Sequence, residues 1–226
     1  MTHKGVTHQL GTSGFLYKSN KLMYDKATQS LWNTIEGKPV LGPLVGKEIE
    51  LDVFPIVTTT WGEWKSLHPQ TKVLSLNTGY NRDYDEGAAY HDYFATDELM
   101  FPVPELDKSL KNKDEVLIIR SEGFREDPLA VSNKYLKKEK WHQNKIGDTN
   151  VIVLGDDSGA ARIYDRKSYS FDSFIKGSLV GSSGEEWEQS PTKLTGPNGE
   201  VLERLPSHNM FWFAWYNTYP EARLVK

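Results

Sequence analysis

Cysteine is absent from all 226 residues of this chain. That excludes disulfides, thiolate metal sites and cysteine nucleophiles together, and it leaves the redox compartment open. Long apolar runs are missing too, since none approaches the roughly 20 residues that span a bilayer. The opening MTHKGVTHQLGTSGF has no apolar h-region, so this chain encodes no secretory signal and reads as cytoplasmic. A basic excess is also lacking. The formal net charge is −4, which argues against a nucleic-acid partner. No Walker loop, dinucleotide fingerprint or His-Glu-x-x-His motif occurs.

Aromatic residues, by contrast, reach 12% of the chain within a 38% hydrophobic content, enough for a sizeable core. They are concentrated in a repeat. TTTWGEWKSLHPQTKV (58–73) matches HNMFWFAWYNTYPEARL (208–224), with Trp61 and Trp64 on Trp212 and Trp215, and Pro69 on Pro220. Upstream, Gly42-Pro43 answers Gly196-Pro197, and Trp32 answers Trp187. Matching order at so many positions marks an internal duplication, with copies at about 28–75 and 183–225. Trp-x-x-Trp sets two indoles on one face of a short helix, which the following proline stops. Thr60 and Asn209 are the expected caps. Burial of 150–250 Å² per indole would anchor each helix to a sheet, so all six repeat tryptophans are expected in core.

Between the copies, 76–104 is rich in Gly, Asp and Tyr and reads as an ordered loop with a turn of helix. KEIELDVFPIV, EVLIIRSEG, NVIVLGDD, AARIYDRKSYSF and EVLERLP read as strands, and Gly155–Gly159 as a hairpin turn. KYLKKEKWHQNKIG reads as helix or solvated turn. The expected fold is α+β, mainly antiparallel, with short Trp-bearing helices in two pseudo-repeated units. The units are 1–78 and 108–226, joined by a linker at 79–107. The first has far less strand-rich sequence ahead of its Trp motif than the second. An uncovered N-terminal strand edge follows, suited to a homodimer or a partner chain.

Polar candidates cluster in the linker. Asp83, Asp85, His91 and Asp92 have the oxygen and imidazole donors for a divalent cation, although their spacing fits no EF-hand. Arg82, Tyr84 and Tyr90 are the candidate ligand contacts, with Arg82 pairing Asp83 or Asp85 as the bland alternative. His208 and His68 flank the Trp helices. His208, His91 and Asp83 are the candidate catalytic residues. Gly11-Thr12-Ser13-Gly14 reads as a tight turn, Asp25 and Asp165 as turn caps, and Glu185, Glu186 and Glu188 as solvated carboxylates. The lysines around Trp141 read as a solvated face.

GTSGFLYKSNKLMYDKATQSLWN, GKPVLGPLVG, TTTWGEWKSLHPQTKVLS, GYNRDYDEGAAYHDYF and LPSHNMFWFAWYNTYP together resemble the bacterial and archaeal family called domain of unknown function 3179. The resemblance covers essentially the whole chain. It implies longer relatives, commonly exported, with an upstream strand-helix-strand segment and a Cys-Pro-x-Cys-Gly-like motif that this chain lacks. It brings no established activity. The leading expectation is therefore a non-catalytic binding or scaffolding module. A metal-assisted hydrolase using Asp83, His91 and His208 is the alternative and requires these side chains to converge. A truncated paralogue is the third.

Overall fold

A computed structural model describes residues 2–120 and 123–226. The chain begins with strands β1 (Thr2–His3), β2 (Val6–Thr7), β3 (Leu10–Tyr17), β4 (Asn20–Asp25), β5 (Leu31–Asn33) and β6 (Lys38–Leu41). Helices α1 (Trp61–Leu67) and α2 (His91–Ala95) follow. Next come β7 (Glu115–Ile119), β8 (Leu129–Ser132), α3 (Asn133–Glu139), β9 (Trp141–Ile146), β10 (Thr149–Gly155) and β11 (Ala161–Asp165). The chain then runs through β12 (Phe171–Ile175), β13 (Ser178–Gly181), β14 (Glu186–Gln189), β15 (Lys193–Thr195) and β16 (Val201–Glu203). It ends with β17 (Ser207–Phe211), α4 (Trp212–Thr218) and β18 (Arg223–Val225). Strands pair antiparallel throughout the described sheets except β8 with β18. The fold is α+β, as the pattern of short strands and shorter helices implies.

The C-terminal half is layered. The sheet β9–β10–β11 lies between β17–β7–β8–β18 on one side and β12–β16 on the other. On β10, Val151 and Val153 enter the core formed with β7, β8 and α4, whereas Ile152 and Leu154 enter the core around Trp187. Both faces of β10 are thus dry, which explains why NVIVLG reads as an unbroken apolar run instead of an alternation. At about 25 cal/mol per Å² of apolar burial, this doubly covered strand ties the two cores together.

The duplication is visible in backbone as well as sequence. Trp32 on β5 sits opposite Met23, and Trp187 on β14 opposite Leu179, each buried at 1% exposure. The loops beside them close alike, by Asp25 N to Ser30 O in one copy and Gly181 N to Glu185 O in the other. Gly42 cannot carry a side chain, because a Cβ there would meet Ser30 Cα at 2.9 Å and its φ is +98°. Helices α1 and α4 are each seven residues long. Their C-caps have φ/ψ of −131°/66° at His68 and −133°/79° at Tyr219. His68 lies 4.1 Å from the Trp64 ring, and Tyr219 lies 4.6 Å from Trp215.

Several local expectations change. Trp212 and Trp215 are 3% and 0% exposed, but Trp61 and Trp64 are 50% and 42% exposed, so only four of the six repeat indoles are core. The expected strand at 47–57 does not form; Leu51 N instead bonds Gly37 O. Thr60 caps α1, but Asn209 caps nothing, because it lies in β17 opposite Leu117. Gly11–Gly14 is not a turn between strands: it lies inside β3, where the register slips between Thr12 and Leu16. KYLKKEKWHQNKIG divides into α3 and β9 at Lys140, which takes φ +70°. Strand β3 pairs only with β4, and Phe15, Leu16 and Tyr17 beside that edge are exposed.

Candidate functional site

The Asp/Tyr linker does not gather its polar side chains. Asp83 Oδ1 accepts from Asp85 N at 2.9 Å, a local Asx turn. His91 Nδ1 lies 3.2 Å from its neighbour Asp92, and both side chains are exposed. Arg82 lies over the Tyr80 ring at 5.8 Å and forms no ion pair with Asp83 or Asp85. Tyr84 bonds Thr78 at 2.9 Å, and Tyr90 is exposed with φ +58°. Among the described residues, no group of three or more His, Asp or Glu side chains is placed to hold a metal ion.

His208 is placed differently. On β17 it sits opposite Ile118 and is half-buried. It lines a 620 Å³ cleft where the β3–β4 hairpin, the turn after β5, β17 and α4 meet. The linker reaches this cleft through Tyr93 and Phe101, while Asp83 and His91 are not in its lining. Tyr93, Phe101, Phe211 and Phe213 provide ring surface; Asn20, Thr34, Glu115 and Asn209 provide hydrogen-bonding groups. Burial, followed by the nearby Arg120 charge, lowers the His208 pKa to about 4. Its imidazole is therefore neutral at physiological pH, able to donate from one nitrogen and accept at the other.

A second polar constellation crosses between the halves at α1, and sequence reasoning did not find it. Thr60 and Glu63 have the Thr-x-x-Glu spacing of a capping box. Thr60 Oγ1 accepts from Glu63 N at 3.3 Å, but the Glu63 carboxylate does not return to its own helix. Its Oε1 accepts from Arg162 at 3.0 Å, and its Oε2 accepts from Thr59 and, at 2.6 Å, from Ser158. Arg162, on β11 and 8% exposed, also bonds Asp156 at 3.0 Å. Burial alone would raise the Glu63 pKa, yet hydrogen bonds from Ser158, Thr59 and Arg162 and the Arg162 charge bring it down to about 2. So weak a base does not activate Ser158 as a nucleophile at neutral pH. The cluster holds α1 against the β10–β11 turn. The visible signals for it were the capping-box spacing and the Gly-Asp-Asp-Ser-Gly turn.

Beside this cluster lies a 320 Å³ cavity lined by Thr58–Thr60, Ser158, Asn133, Lys137 and the same Glu115 and Asn209 that line the aromatic cleft. The two cavities are neighbours across that Glu115–Asn209 wall.

Fold and cleft together define a cysteine-free α+β protein, built on a duplicated Trp-bearing unit, with a ring-lined cleft where the two halves meet. The chain belongs to the family described as Protein of unknown function (DUF3179), whose model matches residues 2–222. No curated protein and no solved structure matches it. No helix among the described residues is long and apolar enough to cross a membrane.

Proposed function

We propose that this protein is a non-catalytic binding module whose ligand occupies the 620 Å³ cleft between its halves. The observation that carries this reading is the pairing of aromatic walls with a neutral, half-buried His208 in one cavity. Its volume falls within the roughly 300–1,000 Å³ of small-molecule sites, which favour junctions between structural units. Nothing in its lining pairs a nucleophile with a base: Ser19 and Thr34 have no hydrogen bond to His208, and Asp83 and His91 lie elsewhere on an exposed loop. The hydrolase alternative therefore has no geometric support.

Indole and 4-nitrophenol serve as aromatic probes, titrated while amide and imidazole resonances are followed by NMR. Both are expected to shift signals of Tyr93, His208 and Phe213, with affinity flat from pH 8 to pH 6. Affinity then changes as His208 protonates near its pKa of about 4. Shifts confined to the exposed Trp61 and Trp64 would place binding elsewhere. Hydrolysis of 4-nitrophenyl acetate that disappears in His208→Gln would overturn the non-catalytic reading.

A further inference from the structure

We infer that the aromatic cleft and the smaller cavity behind the Glu115–Asn209 wall together hold one extended, neutral saccharide. The inference rests on the cleft being a ligand site. Both cavities have Glu115 and Asn209 in their linings, so a chain-like ligand seated in one lies next to the other. At the wide end, the aromatic side chains of Tyr93, Phe101, Phe211 and Phe213 line the cleft and suit the C–H-bearing faces of sugar rings.

The narrow end selects against the simpler ligands. An anion such as phosphate meets the Glu115 carboxylate in the lining, and Lys134 is already paired with Asp114 at 2.6 Å, which leaves Lys137 as the remaining lysine there. The cavity also has one buried acceptor that an occupant's donor would satisfy. Glu115 Oε2 receives only Asn133 Nδ2 at 3.1 Å and Asn209 Nδ2 at 3.4 Å, and Asn133 Oδ1 is buried with no donor. Phosphate brings almost no donors; a polyol brings one per hydroxyl. Lys137 and the threonine hydroxyls at 58–60 supply donors in return.

The duplication adds an independent argument. Thr59, Thr60 and Glu63 in the first copy stand where the second has Met210, Phe211 and Ala214. The same helix thus forms on apolar residues at these positions, so its backbone does not require the polar set.

The test is calorimetric titration of the full chain with cellotetraose and chitotetraose, with indole and inorganic phosphate as comparison probes. One tetrasaccharide is expected to bind. Asn133→Leu is expected to weaken it about tenfold, the equivalent of one lost buried hydrogen bond, and to leave indole binding unchanged. Lys137→Ala, on the exposed side of α3, provides a second variant should Asn133→Leu fold poorly. Indole binding without any sugar binding overturns the saccharide inference and leaves the cleft as a ligand site. Sugar binding unaffected by both variants, or binding of phosphate alone, also overturns it. Silence from every probe overturns both readings.

Discussion

Helices α1 and α4 share a Trp-x-x-Trp motif, a length, cap dihedrals and a ring-stacked C-terminal residue. Their surroundings differ. Trp212 and Trp215 enter a core made with β7, β8 and Phe124, while Trp61 and Trp64 face solvent for about half their surface. The N-terminal half brings together a small cluster, Trp32 on β5 with Leu44 and Leu51 from the loop after β6, among the described buried residues. The difference teaches that helix-forming information is local, whereas burial depends on what the rest of the chain brings to the helix. The largest expected effect follows directly. Trp215→Ala should destabilise by about 3–5 kcal/mol through the cavity it leaves, and Trp64→Ala by about 1 kcal/mol or less, as for a surface side chain. Urea unfolding of the two variants measures this, and equal losses would break the comparison.

What α1 lacks in buried indole, it replaces with charge. Arg162 bridges Glu63 on α1 and Asp156 in the β10–β11 turn, joining residues 99 positions apart. No equivalent exists at α4, where Glu63 is matched by Ala214. Arg162→Met should cost about 2–3 kcal/mol at neutral pH, less than a fully buried pair because Glu63 keeps some water. The sign of the acid dependence is set by Glu63, whose pKa falls from 4.5 to about 2 in the fold. Its stabilisation is complete above pH 4.5 and is lost as pH falls through 2. Glu63→Gln and Arg162→Met should each flatten the stability curve in that acid window. An unchanged acid slope in both would show that the bridge does not hold α1.

Much of this architecture was legible beforehand, and particular residues show why. The duplication could be read from Trp32, Trp187 and the paired Gly-Pro turns, because large aromatics and special backbone positions leave a strong trace in order and spacing. The hairpin at Gly155–Gly159 and the apolar run of β10 were likewise local signals. The environment of Trp61 and Trp64 was not local: periodicity names the apolar face of a helix but not its partner. Glu63 was hidden for a related reason. Its spacing from Thr60 announces a capping box, and only the fold reveals that Arg162 and Ser158 draw the carboxylate away. Of the polar candidates, His208 lines the cleft, whereas His91 and Asp83 remain on the exposed linker, because nothing in an Asp/Tyr-rich loop specifies which residues turn inward.

The smallest expected effect sharpens the same comparison at the helix N-termini. Thr60 caps α1 with its side-chain oxygen, whereas Phe211 begins α4 with no side-chain cap at all. The first N–H groups of α4 donate instead to backbone carbonyls, Trp212 N to Asp114 O at 2.8 Å and Phe213 N to Asn112 O at 3.0 Å, whereas α1 relies on its Thr60 side chain. Thr60→Ala should therefore lower stability by about 0.5–1 kcal/mol, and Thr60→Ser should restore most of it, since serine caps as well as threonine. The measurement is the thermal midpoint of the three proteins, with hydrogen exchange at Trp64 N reporting α1 itself. Exchange at Trp64 N that does not accelerate in Thr60→Ala would mean that the Arg162 bridge alone keeps α1 wound, making charge rather than capping the counterpart of the buried indoles in α4.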